Sequence, residues 1–165
     1  PPFLIVAPRH PERFDAVARL LAEDGLAVAR RSRPEGPAAA DVLLLDTIGE
    51  LGRAYRFAAA AFIGASLVPT GADNPLEPAV WGVPVLAGPY VHNFSAVFEA
   101  LLASGAARVV ADADALADAL AGWLRDGEER DRAGAAGRAV IGANRGATRR
   151  TVDELLALVG RGAGR

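Results

Sequence analysis

Short apolar runs alternate with helical patterns along most of the chain. Residues 3–7, 26–30, 42–45, 60–64, 83–87 and 107–110 form runs rich in Val, Ile, Leu and Ala, as buried parallel strands do. Helical spacing of apolar residues covers 12–24, 50–58, 75–81, 95–103, 113–125, 128–141 and 148–159. This alternation predicts an α/β fold: a doubly wound, six-stranded parallel Rossmann-like sheet with helices on both faces and further helices at the C-terminus.

Length and composition narrow the class of protein. A chain of 165 residues fits one domain, and it has no apolar run near the roughly 18 residues of a membrane-spanning helix. The net charge of −2 provides no field that attracts nucleic acid. The absence of cysteine excludes disulfides, thiolate metal sites and cysteine nucleophiles. Because the chain opens on a strand-like run without Met, we expect it to be cut from a longer protein.

The segment from Gly71 to Pro78 joins a loop of small residues to a helix start. Asn74 fits the N-cap, Pro75 the first helical position and Glu77 the third, the spacing of a capping box. Backbone amides at a helix start attract anions, so the segment is a candidate ligand loop. Helix capping alone accounts for the same residues, and the sequence leaves both interpretations open.

Three further loops follow predicted strands. The carboxyl ends of parallel strands share one edge of a sheet, where ligands of this fold class bind. The loops after the first, third and fifth strands read PRHPER at 8–13, DTIGEL at 46–51 and GPYVHNF at 88–94, while GASLVPTG at 64–71 leads into the candidate ligand loop. We therefore expect the chemistry of the protein to concentrate at this edge.

Together these segments resemble the 3-deoxy-D-manno-octulosonic acid (Kdo) transferases of lipopolysaccharide synthesis. The matching segments, in order, are PRHPER, DTIGEL, GASLVP with Gly71 and NPLEP, residues 82–84, and NRGA at 144–147. The resemblance implies a two-domain GT-B glycosyltransferase, of which residues 1–165 form a single donor-binding domain. It also implies transfer of Kdo from CMP-Kdo to a lipid A precursor at the cytoplasmic face of the bacterial inner membrane, with inversion and without a bound metal or other cofactor.

The same resemblance specifies the partners. They are the donor CMP-Kdo, the N-terminal domain of the same protein and the lipid A precursor at the membrane, with no nucleic acid. The catalytic base is expected in the N-terminal domain, which this chain lacks, so no catalytic residue is assigned here. The fragment alone is expected to be soluble and inactive.

The resemblance assigns contacts with the donor to the residues of this chain that match the family's segments. Arg9 is expected to pair with the phosphate or the sugar carboxylate, because a guanidinium is a permanently charged fork of donors. Glu77 is expected to accept hydrogen bonds from the ribose, unless it serves only the capping box. For Glu50 the helix dipole alone is the favoured explanation. The candidate donor-binding residues are Arg9, His10, Thr47, Ile48, Gly49, Ser66, Leu67, Gly71, Asn74 and Glu77, with Thr47 to Gly49 at the cytosine and Ser66 to Asn74 around the phosphate.

Two stretches need separate interpretation. Relatives commonly carry Gly-His where this chain has Ala72-Asp73, and a carboxylate beside a phosphate site adds repulsion unless it points away or meets a cation. His92 is expected to fill its loop. The cluster of Arg30, Arg31 and Arg33 is more typical of a solvated edge than of a membrane or nucleic-acid patch.

Two alternatives to the transferase remain. A sugar-nucleotide epimerase of similar architecture would bind UDP in preference to CMP. A non-catalytic nucleotide-binding or interaction module would prefer neither nucleotide.

Overall fold

The computed structural model describes residues 2–33, 35–37 and 39–144. The chain divides into two compact units at the junction of Ala54 and Tyr55. Its strands are β1 Leu4–Val6, β2 Val28–Arg30, β3 Val42–Leu44, β4 Ala61–Phe62, β5 Val85–Ala87 and β6 Ala107–Val109. Its α-helices are α1 Phe14–Glu23, α2 Leu51–Ala54, α3 Leu76–Val80, α4 Ser95–Ala103, α5 Ala113–Arg125 and α6 Gly127–Asn144. Short 3₁₀ helices cover Pro11–Arg13, Tyr55–Phe57 and His92–Phe94.

The first unit is built on a three-stranded parallel sheet in the order β1-β3-β2. Val42 of β3 lies opposite Leu4 on one side and Val28 on the other. Because β3 is central, its residues Val42 and Leu44 are buried. Helix α1 connects β1 to β2 and packs against β2.

The second unit is built on another three-stranded parallel sheet, in the order β4-β5-β6. The central strand β5 is fully buried, and its side chains alternate between two clusters. Val85 and Ala87 belong to the same cluster as Phe98 of α4. Leu86 belongs to the cluster around Trp123 of α5. Helices therefore cover both faces of this sheet, as the alternating pattern predicts.

Helix α6 lies directly against α3 and the turn that follows it. A Cβ atom on Gly134 would lie 2.0 Å from the carbonyl oxygen of Gly82, and one on Gly137 would lie 3.6 Å from Cβ of Ala79. Only a residue without a side chain fits at Gly134. This close approach fixes the position of α3, the helix that carries Glu77.

The predicted six-stranded sheet is wrong, because each strand hydrogen-bonds only within its own group of three. The six strands themselves form near their predicted positions. Apolar runs indicate where strands lie, whereas their pairing is set by main-chain hydrogen bonds that leave no pattern in the sequence. The expectation of buried strands also fails for β1, where Leu4 is 48% exposed. The predicted helix over 50–58 forms as α2 followed by the 3₁₀ helix Tyr55–Phe57.

Two predictions concern the end of the chain. The helix predicted over 148–159 lies outside the described residues, and so do residues 145–147 of the NRGA segment.

Among the described residues, no helix is both long and apolar enough to cross a lipid bilayer.

The contact between α6 and the Gly82 turn predicts unequal effects of two glycine replacements in one helix. Gly134→Ala should lower the free energy of unfolding by about 1–3 kcal/mol, because its methyl group would overlap a backbone carbonyl. Gly142→Ala is the matched control, since no atom lies within 4 Å of its Cβ position, and it should leave stability unchanged or raise it by up to about 1 kcal/mol. Urea denaturation of both variants tests this, and equal effects would contradict the packing described.

Candidate functional site

Loops at the carboxyl ends of the strands meet within each unit because the strands are parallel. In the first unit these loops follow β1 and β3, and in the second they follow β4 and β5. All ten candidate donor-binding residues lie in these loops or at the start of α3. Each unit is described separately below.

Asp46 anchors the loop after β3 in the first unit. Its carboxylate is buried and accepts hydrogen bonds from Arg30 Nε at 2.7 Å, Ser32 N at 2.8 Å and Ser32 Oγ at 2.6 Å. Burial raises the pKa of Asp46, but the hydrogen bonds from Ser32 and Arg30 outweigh it and lower the pKa to about 2. The carboxylate therefore stays charged at neutral pH and holds the loop against the segment after β2.

Two arginines of the predicted cluster, Arg30 and Arg31, form ion pairs at this loop, while Arg31 and Arg33 are exposed as a solvated edge predicts. Arg30 donates through Nε to Asp46 and through Nη1 to Asp15 of α1 at 2.5 Å. Arg31 donates to Glu50 Oε1 from Nη2 at 2.9 Å and from Nε at 3.2 Å. These two guanidinium groups tie the loop after β3 to its neighbours.

The residues of the candidate cytosine-binding loop, Thr47 to Gly49, are held in different ways. The Thr47 hydroxyl donates to Glu50, so both side chains brace the loop. The pKa of Glu50 is lowered, first by this hydrogen bond and then by Arg31. Ile48 is 77% exposed, and Gly49 beside it is also exposed. The prediction that helix dipole alone explains Glu50 is thus replaced by a specific ion pair.

The loop after β1 carries its charged residues at the surface. Arg9 and His10 are both exposed. His10 Nδ1 lies 3.7 Å from Glu12 Oε1, an ion pair when the imidazole is protonated. Both side chains therefore reach the surface of the first unit.

Ser66 joins the loops after β4 and β5 in the second unit. Its hydroxyl is fully buried, donates to Ile63 O at 2.6 Å and accepts from Gly88 N at 2.7 Å. Its carbonyl accepts from Tyr90 N at 3.0 Å. The preceding Ala65 has φ of 64°, a left-handed conformation that is uncommon for residues with a Cβ. In this geometry the Ser66 hydroxyl shapes the loop, and its contact with a phosphate stays a prediction.

Gly71 lies where the same two loops approach each other closely. Its φ is 90°, and a Cβ would lie 2.9 Å from Asn93 Oδ1 and 3.0 Å from His92 Nε2. Asn93 Nδ2 donates to Ala72 O at 2.5 Å. His92 thus fills the loop as the sequence predicts, while Asn93 is a structural residue that the sequence did not single out.

Helix α3 begins at Leu76 with Pro75 at its N-cap, one residue later than the sequence predicts. Asn74 still supports the start of the helix, because its Oδ1 accepts from Leu76 N at 3.0 Å. Glu77 is exposed and makes no hydrogen bond or ion pair with any residue in the described part of the chain. The capping box does not form, because its second half would require Glu77. With only five residues in α3, the anion attraction expected from its amino end is small.

Comparison with known proteins identifies the family. No family model matches the chain. The 3-deoxy-D-manno-octulosonic acid transferase of Haemophilus influenzae is 42% identical over 154 residues, 92% of this chain and 36% of that protein. The transferase of the same name from Bordetella pertussis is 40% identical over 156 residues, 93% of this chain and 36% of its own length.

A solved structure is similar over most of the chain. The C-terminal CMP-Kdo binding domain of WaaA from Acinetobacter baumannii matches with a TM-score of 0.80 and 34% identity, covering 84% of this chain and 73% of that domain. This chain belongs to the Kdo transferase family. The resemblance drawn from the ordered segments is thereby confirmed. The chain spans about a third of the length of the two transferases it matches.

Tyr55 is a candidate residue of the Kdo transferase site that the sequence did not indicate. It opens the 3₁₀ helix that packs against α3, and its hydroxyl makes no hydrogen bond to residues that the structure describes. Burial, followed by the negative charges of Glu77 and Asp73, raises the pKa of Tyr55 to about 12. The phenol therefore stays neutral and keeps its hydroxyl proton as a hydrogen-bond donor. Its neighbours in the sequence, Ala54 and Arg56, gave no signal of this role.

No metal centre is found among residues 2–33, 35–37 and 39–144 of the chain, where no three His, Asp or Glu side chains converge.

The two residues that depart from the family pattern, Ala72 and Asp73, have different surroundings. Ala72 is buried in the apolar cluster around Val85. Asp73 is half-buried, and its amide donates to Gly64 O at 3.4 Å.

The Asp46 anchor predicts acid-sensitive stability. Its folded pKa of about 2 lies below the usual 3.8, so its contribution is fully present above about pH 4 and is lost as pH falls through 2. Asp46→Asn should lower the free energy of unfolding by about 2 kcal/mol at pH 7 and by progressively less below pH 4. Urea denaturation followed by circular dichroism from pH 7 to pH 2 measures the difference. The exposed Asp24→Asn is the control, and a loss that does not vary with pH would contradict the ionic anchor.

Gly71 predicts a second stability difference. Gly71→Ala should lower the free energy of unfolding by about 2–3 kcal/mol, through its positive φ and through crowding by Asn93 and His92. Gly105→Ala isolates the backbone effect, since Gly105 also has a positive φ of 77° but no atom within 4 Å of its Cβ position. It should lower stability by about 1 kcal/mol. Calorimetric melting of both variants separates the effects, and equal losses would show that the two loops do not touch at Gly71.

Proposed function

We propose that this chain is the donor-binding part of a Kdo transferase and holds CMP-Kdo while Kdo is transferred to a lipid A precursor. The observation that carries the proposal is the similarity, at a TM-score of 0.80, to the C-terminal CMP-Kdo binding domain of WaaA. The sequence identity of 40–42% to two transferases over nearly the whole chain supports it.

The remainder of the activity belongs to the whole enzyme. Under this proposal the chain is one half of a two-domain GT-B enzyme, and an N-terminal domain contributes the acceptor site and the catalytic base. The enzyme acts at the cytoplasmic face of the inner membrane, inverts the anomeric centre and uses no metal ion. This chain by itself binds the donor and does not catalyse transfer.

Glu77 is the residue best suited to the ribose of the donor. Its carboxylate is exposed and is not used for helix capping, so its oxygens are available as acceptors. Ribose hydroxyls are donors, and hydrogen bonds from them to a charged carboxylate are stronger than bonds between neutral groups. Tyr55 adds a hydroxyl donor in the 3₁₀ helix that packs against α3, and the charge of Glu77 helps to raise its pKa.

The remaining donor contacts follow the family resemblance and the exposure of each residue. Ile48 and Gly49 present main-chain groups at an exposed edge and are assigned to the cytosine, with Thr47 bracing them. Arg9 and His10 are exposed and are assigned to the anionic groups. Leu67, Gly71 and Asn74 are assigned to the surroundings of the phosphate, in a loop that Ser66 shapes.

Nucleotide titration tests the proposal. CMP should shift amide resonances in the described loops, and UDP should bind several-fold more weakly. Affinity in the millimolar range is sufficient, because a donor half without its partner domain lacks site closure. A preference for UDP would instead favour a sugar-nucleotide epimerase, and indifference to both would favour a non-catalytic module.

The role of Glu77 predicts a specific loss of affinity. Glu77→Gln should weaken CMP binding about tenfold, because a charged hydrogen bond contributes about 1.5–3 kcal/mol. Glu99→Gln is the control, since Glu99 is an exposed glutamate on α4 with the same change of charge. Unchanged binding by Glu77→Gln, or an equal loss in both variants, would remove Glu77 from the site.

A further inference from the structure

The loop between β3 and α2 is held at both ends by the last residue of β2 and the two residues that follow it. At the first end, Asp46 accepts hydrogen bonds from Arg30 Nε at 2.7 Å and from Ser32 N at 2.8 Å. At the other end, Glu50 Oε1 accepts from Arg31 Nη2 at 2.9 Å and from Arg31 Nε at 3.2 Å. Three consecutive residues therefore fix both ends of one loop.

The carboxylate of Glu50 also bridges the middle of this loop. Its Oε1 accepts from the Arg31 guanidinium, and its Oε2 accepts from the Thr47 hydroxyl. Both carboxylate oxygens are thus used, and the side chains of Thr47 and Glu50 close a bridge across the two residues between them. Those residues are Ile48 and Gly49, whose main-chain groups are assigned to the cytosine under the proposed function.

The two ends of the loop differ in burial. Asp46 is buried, whereas the side chain of Arg31 is 52% exposed and that of Glu50 is 38% exposed. Exposed ion pairs contribute little to folding stability, because water and salt screen them. The Asp46 end therefore supports the fold of the unit, while the Arg31–Glu50 pair mainly fixes the local path of the loop.

The peptide between Ile48 and Gly49 has two accessible orientations. Gly49 has φ of 86°, and a glycine adopts positive and negative φ about equally well. Turns of types I and II differ by a rotation of their central peptide, which exchanges its carbonyl oxygen and its N–H. Among the described residues, no atom beyond the chain neighbours lies within 4 Å of the Cβ position of Gly49. Packing at Gly49 therefore does not select an orientation, and the bridge from Thr47 to Glu50 has to do so.

Rotation of that peptide changes which base it can bind. Cytosine carries an amino donor where uracil carries a carbonyl acceptor. A main-chain carbonyl suits the amino group of cytosine, and the N–H that replaces it after rotation suits the carbonyl of uracil. The orientation of one peptide can therefore distinguish the two bases.

We infer that Arg31 and Glu50 are positioning residues that determine base specificity: through Thr47 they hold the Ile48–Gly49 peptide in the orientation that accepts cytosine and rejects uracil. The inference rests on the proposed function and concerns how that site selects its nucleotide. Arg31 lies outside every segment that matches the family, so the resemblance does not assign it this role.

Titration of the full 165-residue chain with CMP and UMP tests the inference. The unaltered chain should prefer CMP. Arg31→Gln and Glu50→Gln should each weaken CMP binding about fivefold and leave UMP binding nearly unchanged, so the preference falls. The double variant should lose no more than either single variant, because both residues act through one chain of hydrogen bonds. Equal losses for CMP and UMP would show a merely structural role and overturn the inference.

Arg53→Gln is the matched control. Arg53 is exposed on α2, and its guanidinium acts on Glu50 through charge, with no hydrogen bond to that carboxylate in the described part of the chain. This variant should keep the preference for CMP. In the free chain, amide hydrogen exchange at Gly49 should be faster in Arg31→Gln than in Arg53→Gln, since only the first loosens the loop.

The outcomes separate this inference from the proposed function. A chain that binds neither nucleotide, or that prefers UMP, would contradict the proposed function and the inference together. A chain that prefers CMP, and keeps that preference in Arg31→Gln, would overturn the inference alone. An equal fall in preference in Arg53→Gln would also overturn it, because general loss of positive charge would then be the cause.

Discussion

Two buried polar side chains set the shape of the loops that carry the candidate site. Asp46 follows β3 and Ser66 follows β4, and neither side chain has solvent to satisfy it. A buried polar atom without a partner costs about 1–3 kcal/mol, so the surrounding chain must supply the partners. Asp46 obtains them from Ser32 and Arg30, and Ser66 obtains them from Ile63 and Gly88. The loops of each unit are fixed because these hydrogen bonds have to form.

This use of polar side chains divides the candidate residues into two groups. The side chains of Thr47, Ser66 and Asn74 form hydrogen bonds to neighbouring residues of their own loops. Glu77 and Ile48 are exposed, and the Tyr55 hydroxyl forms no hydrogen bond within the described part of the chain. Under the proposed function, the first group positions the backbone of its loops, whereas Glu77 and Tyr55 present side chains to the donor. A ligand contact inferred from a motif is thus of two physical kinds, although the motif does not distinguish them.

The sequence was sufficient for the elements and the family, but not for the pairing of strands or the use of side chains. All six strands are local apolar runs, and a run such as 83–87 forms β5 because its residues suit a buried strand. The division into two sheets depends on which strands form main-chain hydrogen bonds with each other, and no residue type encodes that pairing. The capping box failed at Glu77 for a similar reason: Asn74 satisfies the start of the short α3 alone. Tyr55 was missed because its interest comes from the packing of its 3₁₀ helix against α3 and from the charges of Glu77 and Asp73, about 20 residues further along the chain.

The charges of the second unit restrict what its loops can bind under the proposed function. Asp73 and Glu77 are acidic, and their charges add to the larger effect of burial in raising the pKa of Tyr55. Two carboxylates repel a phosphate unless cations intervene, yet they are suitable acceptors for hydroxyl groups. Under the proposed function, these two carboxylates are therefore suited to the ribose and sugar hydroxyls of the donor. The anionic groups of the donor need positive charge, and the family resemblance assigns them to Arg9.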